Sequence, residues 1–159
     1  MIVVADASPL RYLILIEHVH VLPALYGRVV VPPAVVSELS QERTPEPVRH
    51  WLSNRPEWVH VQAPRQALTL LRGVLGPGER EAIALAAELS ADVLLMDDRD
   101  GRREAEKRNC AVVGTLRVLA DAAEHGFADL RVALDRLRLT NFRADEQLIQ
   151  RVLAESEGM

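Results

Sequence analysis

The chain has 159 residues, a formal net charge of −4 and 48% hydrophobic residues. This length suits a single domain, and the composition is that of an ordinary globular protein rather than a disordered chain. The acidic balance argues against a strongly basic nucleic-acid binder. The first residues are apolar only as far as Asp6, without a basic leader or a run long enough to cross a bilayer, so we expect a cytoplasmic protein with no membrane partner.

The first apolar run of the chain ends in a carboxylate. Ile2 to Ala5 predicts a buried strand with Asp6 at its carboxyl end, and the following Ser8-Pro9 pair predicts a helix that begins at Pro9 with Ser8 as its N-cap. Ligands of open parallel sheets bind outside the carboxyl ends of the strands. Taken alone, Asp6 is equally well explained as a turn or capping residue.

Strands and helices then alternate along the chain. Further strands are predicted at 29–31, 58–61, 93–96 and 111–113, and helices at 21–26, 34–39, 48–52, 79–87, 101–108 and 115–125. This alternation predicts an α/β fold, a three-layer α/β/α domain with a mostly parallel central sheet, over residues 1–125.

Residues 126–159 are predicted to be a helical extension, with two amphipathic helices packed on the same domain. Its arginines fit a solvated face best, with a dimer surface or phosphate contacts as alternatives: Arg131, Arg136, Arg138, Arg143 and Arg151.

A second strand also ends in acidic residues. Asp97, Asp98 and Asp100 follow the apolar run Val93 to Met96, and three neighbouring carboxylates repel one another unless they are solvated, paired with arginine or neutralised by a cation. A surface turn is the alternative, because Asp-Gly is a common turn pair. Two strand ends with carboxylates favour a functional site over two unrelated turns.

Three glutamates lie on helices near these strand ends. Glu38 falls at the edge of an apolar helix face, while Glu79 and Glu81 enter an alanine-rich helix after a glycine-proline turn. Carboxylates in a first helical turn complement the helix dipole, and one at N3 can complete a capping box. Residues two apart project differently, so we expect only one of Glu79 and Glu81 to reach a common centre.

If the first and fourth strands are neighbours, Asp6 and Asp97 meet at one edge of the sheet, with Glu38 and Glu81 approaching from helices. Clustered carboxylates without histidine or cysteine select hard cations, so Mg²⁺ or Mn²⁺ is expected rather than zinc. Such a site can activate water and stabilise the leaving oxygen of a phosphodiester.

A basic run follows the second acidic cluster and predicts a nucleic-acid contact. Its members are Arg99, Arg102, Arg103, Lys107 and Arg108. If one side of this short helix faces the cleft, it could hold a phosphate backbone and make binding salt-dependent. A solvated helix with pairs such as Glu104 to Arg108 explains the run equally well.

Taken together, these motifs resemble those of PIN-domain proteins of the VapC-like ribonuclease type, the toxins of prokaryotic toxin-antitoxin pairs. The resemblance spans roughly residues 1–125 and rests on five motifs in order: Val4-Ala5-Asp6-Ala7-Ser8-Pro9, Val36-Ser37-Glu38-Leu39, Gly76-Pro77-Gly78-Glu79-Arg80-Glu81-Ala82-Ile83, Leu95-Met96-Asp97-Asp98-Arg99 and Gly114-Thr115-Leu116. It implies metal-dependent cleavage of RNA, single-stranded or structured, by a homodimer that a small antitoxin protein restrains. The subgroup that it resembles is described as predicted nucleic-acid-binding PIN proteins.

The resemblance also assigns roles to residues. Asp6 would be the first metal ligand, and Ser8 and Thr115 would support the site. Glu38 would be the second acidic ligand, and Asp97, together with Asp98, would be the last. At the third acidic position this chain has glutamates, where the commoner pattern of the family has an aspartate. We favour Glu81, because Ala82-Ile83-Ala84 follows it directly, with Glu79 as the substitute.

Other functions remain open at this point. A non-catalytic nucleic-acid- or protein-binding module would keep the acids as structural groups. An aspartate-based phosphotransfer enzyme would phosphorylate Asp6, but it would want a second aspartate or a downstream lysine that this chain places poorly. A topoisomerase-primase-like centre, suggested by Asp98-Arg99-Asp100, would want glutamate at the end of the first strand.

Overall fold

Helices cover both faces of a five-stranded sheet in the computed structural model, which describes residues 1–66 and 68–158. The strands are β1 (Val3–Ala5), β2 (Val29–Val31), β3 (Val59–Val61), β4 (Val93–Leu95) and β5 (Val112–Val113). They lie in the order β3-β2-β1-β4-β5, and every neighbouring pair is parallel. The predicted three-layer α/β/α fold is therefore confirmed.

The helices follow the predicted order with shifted ends. They are α1 (Ala7–Leu15), α2 (Val21–Tyr26), α3 (Pro33–Leu39), α4 (Glu46–Ser53), α5 (Pro77–Glu88), α6 (Arg99–Lys107), α7 (Thr115–Glu124), α8 (Leu130–Arg138) and α9 (Glu146–Glu157). A 3-10 turn spans Thr69–Leu71.

Two of the predicted helix starts are wrong. Helix α1 begins at Ala7 rather than Pro9, because a proline is tolerated throughout the first turn, where N–H groups have no partner in the helix. Helix α6 begins at Arg99 rather than Gly101, because the Asp98 carboxylate caps it by accepting a 2.7 Å hydrogen bond from the Gly101 N–H. Ser8 is consequently not a cap, and Asp100-Gly101 is helical rather than a turn.

The register of the central strands places two aspartates side by side. Val4 pairs with Leu94 and Ala5 with Leu95. The ladder continues one residue further, since the Asp6 N–H donates to the Leu95 carbonyl at 2.9 Å. Asp6 and Asp97 therefore leave neighbouring strands at the same edge, as predicted from the sequence.

Alternate residues of the strands fill two apolar layers, one on each face of the sheet. Val3 and Ala5 pack into one layer, and Val4 packs into the other, which contains the buried alanines of α5. Strands buried on both faces read as continuous runs of Val and Leu, which is typical of parallel sheets. The small side chains Ala82 and Ala86 let α5 lie close to the sheet.

The C-terminal helices share the core of the sheet. Leu130, Leu134 and Leu137 of α8 and Ile149 and Leu153 of α9 belong to the same buried cluster as Val3. The predicted extension covers 126–159, of which Met159 lies outside the described residues. Within residues 1–66 and 68–158, no helix is both long and apolar enough to span a membrane.

Candidate functional site

Asp6 is a buried carboxylate at the carboxyl end of β1. Only 3% of it is exposed, and its Oδ1 atom has no hydrogen-bond partner within residues 1–66 and 68–158. Burial is the main reason that its pKa is raised from the ordinary 3.8 to about 8; the Ala7 N–H opposes the shift, and the charges of Glu79, Glu38 and Asp97 add to it. Asp6 therefore needs a proton or a cation to be stable where it lies.

Asp97 lies beyond β4 and is held in place by the start of α7. Its Oδ1 accepts a 2.8 Å hydrogen bond from the Thr115 N–H, and its Oδ2 accepts a 2.6 Å bond from the Thr115 hydroxyl. Burial raises the pKa of Asp97, while the two bonds from Thr115 and the charge of Arg102 lower it. The residue before Thr115 must be small, since a Cβ on Gly114 would lie 2.8 Å from Arg102 Nη1 and 3.0 Å from Asp97 Oδ1.

Glu38 reaches the centre from α3, at the place where α5 begins. A Cβ on Gly78 would lie 2.8 Å from Glu38 Oε2 and 3.7 Å from Asp6 Oδ1, so both carboxylates border the same small space. The absence of a side chain at Gly78 keeps that space open. The side chain of Glu38 has no hydrogen bond among the described residues.

Glu79 and Glu81 have separate surroundings, and the preference for Glu81 as the third acid stays a prediction. The Glu81 Oε1 atom accepts a 3.0 Å hydrogen bond from the Ala34 N–H and so caps the start of α3. Glu79 accepts a 2.6 Å bond from the Gly76 N–H, which is the glutamate half of the capping box predicted for α5, since glycine has no side chain to complete it. Burial raises the pKa of Glu79, and the charges of Asp98 and Glu38 raise it further. The charge of Glu79 in turn contributes to the raised pKa of Asp6.

Asp98 and Ser8 lie at the margin of the set formed by Asp6, Glu38, Glu79 and Asp97. Asp98 is exposed and caps α6, and its charge acts on Glu79. Ser8 lies in the first turn of α1 and lines a polar cleft of about 300 Å³ together with Glu38, Arg11 and Arg43. The roles predicted for Asp98 and Ser8 remain predictions.

The acidic residues suit a hard cation in the type of ligand that they offer. We use the name acidic centre for Asp6, Glu38, Glu79 and Asp97. In the described part of the chain, no three His, Cys, Asp or Glu side chains converge tightly enough to chelate an ion as they stand. The unpartnered Asp6 oxygen and an all-oxygen donor set fit Mg²⁺ or Mn²⁺.

The basic run divides into two parts in the structure. Arg99, Arg102 and Arg103, near the start of α6, border a shallow cleft that also includes Asp97. Lys107 lies at the other end of α6 and pairs with Glu104 at 3.1 Å, as does Arg108. The first three arginines are thus near the acidic centre. Lys107 instead forms an ion pair within the helix, as in the alternative interpretation of the basic run.

Sequence reasoning missed the contribution of the tail to this edge of the sheet. Arg143 and Arg151 line a groove that opens at Asp97. The sequence offered no signal for this position, because it depends on how α8 and α9 fold back over the domain. It did contain a signal for Glu79, whose place three residues after Gly76 is the capping-box spacing.

Known proteins can now be compared with this arrangement. The family model described as "DUF3368: PIN domain" matches residues 2–158. A PilT N-terminus domain protein from the hyperthermophilic archaeon Sulfolobus solfataricus P2 is 23% identical, with a TM-score of 0.57 over 79% of this chain and 96% of that one, and this likeness supports the fold. No curated protein is significantly similar to the chain. Because the family match spans nearly all residues, the protein belongs to the DUF3368 family of PIN domains.

Proposed function

We propose that this protein is a metal-dependent endonuclease that hydrolyses phosphodiester bonds in RNA. The observation that carries the proposal is the buried Asp6 carboxylate, which has an unpartnered oxygen and lies among three further acids at the carboxyl edge of a parallel sheet. Membership of the PIN-domain family supports it, since PIN domains are generally associated with nucleases.

The cation would be Mg²⁺ or Mn²⁺, held by Asp6, Glu38, Glu79 and Asp97, with Asp98 at the margin. When bound, such an ion activates water and stabilises the leaving oxygen of a phosphodiester. We place Glu79 in this set rather than Glu81, which the sequence favoured, because the charge of Glu79 is one of those that raise the pKa of Asp6.

The remaining residues of the site hold the acids and the substrate. Thr115 fixes both oxygens of Asp97, which leaves that carboxylate with one orientation. Arg99, Arg102 and Arg103 border Asp97 and supply positive charge for the phosphates on either side of the scissile bond. The acidic centre and its arginines together provide a cation site next to a phosphate site.

The proposal is tested by cleavage of end-labelled single-stranded RNA in Mg²⁺, Mn²⁺ or EDTA. We expect internal cuts with either metal, none in EDTA, and loss of cutting in Asp6→Asn and Asp97→Asn, each of which removes a charge but little volume. The variants also control for contaminating nuclease. Full turnover by both variants would contradict the proposal, and retained RNA binding without any cutting would favour a non-catalytic binding module.

We further propose that the nuclease acts as a homodimeric toxin restrained by a small antitoxin protein. The support is the PIN-domain family together with the motif resemblance described above. Induced expression in a bacterial host should arrest growth for the natural chain and not for Asp6→Asn, and light scattering should give twice the chain mass. Unimpaired growth with active enzyme present would contradict the toxin role.

A further inference from the structure

The tail of the chain forms one wall of a groove beside the acidic centre. We propose that this groove binds a strand of single-stranded RNA next to the scissile phosphate, with Arg143 and Arg151 contacting its phosphates. RNA as the occupant rests on the proposed function. The groove residues themselves are identified from the structure alone.

The groove includes Asp97 of the acidic centre among its lining residues. It has a volume of about 440 Å³ and is lined by residues of β5, α7 and α9. Strand β5 is the outermost strand on this side. A ligand that enters the groove is therefore led to the end of β4, where Asp97 lies.

Charge distinguishes the groove arginines from the others in the tail. Outside the groove, the tail arginines are paired: Arg131 with Glu157, Arg136 with Glu17, and Arg138 with Asp135 and Glu146. Among the described residues, neither Arg143 nor Arg151 has a salt bridge or a hydrogen bond to its side chain. Unpaired guanidinium groups that line one groove fit an anionic ligand, and guanidinium binds phosphate in a bidentate manner.

Apolar side chains also line the groove, alongside charged ones that include Arg117 and Glu155. Phe142, Leu148 and Val152 line the groove, and Leu148 is 37% exposed. A strand of RNA presents phosphates and flat bases in alternation, which matches positive charge interspersed with apolar and aromatic surface. An acidic protein segment offers charge to the arginines but no equivalent for the apolar floor.

Helix α1 holds this part of the tail next to the acidic centre. The Tyr12 hydroxyl donates a 2.8 Å hydrogen bond to Asn141 Oδ1, and the Tyr12 ring meets Phe142 edge-on at 5.0 Å. Tyr12 is only six residues after Asp6 on the helix that Asp6 precedes. Arg143 is thus positioned by the same helix that begins at the acidic centre.

The test is RNA binding without catalysis. Fluorescence anisotropy of labelled random-sequence 12-nucleotide RNA, in EDTA, compares the natural chain with Arg143→Gln/Arg151→Gln. The control is Arg28→Gln/Arg131→Gln, which removes the same charge from exposed residues outside the groove. We expect the Kd to rise at least tenfold for the groove variant only. We also expect the plot of log Kd against log salt concentration to be shallower by about 1.4 for that variant, since each phosphate contact on a single strand contributes about 0.7 to the slope.

Equal Kd values for the groove and control variants would overturn the proposal, as would failure of the natural chain to bind RNA. Binding of a glutamate-rich peptide or of DNA in place of RNA, with the same dependence on both arginines, would assign the groove to another occupant. Because no metal is present, the outcome is separable from the nuclease assay. Metal-dependent cutting with unaffected binding would refute the groove alone, and groove-dependent binding without cutting would refute the nuclease alone.

Discussion

At the scale of single residues, the burial of Asp6 lowers the stability of the metal-free domain wherever its carboxylate is ionised. Asp6 is buried without a partner for Oδ1, and three other acids act on it. An ionised carboxylate in such surroundings is unfavourable unless a positive charge compensates it. The residue therefore links the stability of the domain to pH and to metal.

We expect Asp6→Asn to stabilise the metal-free protein at neutral pH. The pKa is raised from 3.8 to about 8, so between these values the native state holds a proton that the unfolded chain has released, and native stability falls as pH rises. Asparagine does not titrate. Urea unfolding in EDTA should give equal stability near pH 4 and an advantage for the variant of a few kcal/mol at pH 7, at about 1.4 kcal/mol per pH unit. A difference independent of pH would contradict this account.

Glu79→Gln and Glu81→Gln form a matched pair that tests which glutamate belongs to the acidic centre. Glutamine can keep the acceptor role in each hydrogen bond, to Gly76 and to Ala34, so both variants should unfold within about 1 kcal/mol of the natural chain. Nuclease turnover should fall at least a hundredfold in Glu79→Gln and less than threefold in Glu81→Gln. The reverse order would restore Glu81 as the third acid.

At the scale of elements, the site depends on close approach between helix ends and strand ends. Helix α5 begins against Glu38, and α7 begins against Asp97, each with a glycine at the contact. The sequence predicted the strand ends well, because Asp6 and Asp97 follow unmistakable apolar runs. It favoured Glu81 over Glu79 from the motif alone and could not foresee that α3 places the Ala34 N–H within reach of Glu81.

Gly78→Ala should impair the site while leaving the fold intact. The new Cβ would lie 2.8 Å from Glu38 Oε2 and 3.4 Å from Val35 Cγ2, so the flexible Glu38 side chain must move away from Asp6. The better helix propensity of alanine offsets part of the crowding. We expect thermal unfolding within a few degrees of the natural chain and at least tenfold lower turnover. Unchanged turnover would show that the position of Glu38 is not critical.

At the scale of the whole molecule, the tail and the sheet form one core. The sequence predicted amphipathic tail helices, but the face that each one buries, and therefore the groove with Arg143 and Arg151, depends on long-range packing. Leu134 of α8 is fully buried in the cluster that contains Val3. Sequence periodicity identifies such a residue as core without indicating which strands it contacts.

Leu134→Ala should therefore destabilise the entire domain, by about 2–5 kcal/mol, in a single unfolding transition. Leu139→Ala is the control, because Leu139 is 88% exposed and its truncation should cost less than about 0.5 kcal/mol. Circular dichroism and tryptophan fluorescence should report coincident transitions. Separate melting of the tail before the sheet would contradict a shared core.

The acidic centre is proposed to bind a divalent cation through Asp6. Calorimetric titration of Mn²⁺ into the metal-free protein tests it directly, with Asp6→Asn alongside. We predict saturable binding by the natural chain, with proton release that diminishes as pH is raised above 8, because the pKa of Asp6 lies at about 8. We predict at least a hundredfold weaker binding by the variant. Equal binding by both proteins, or none by either, would contradict the claim.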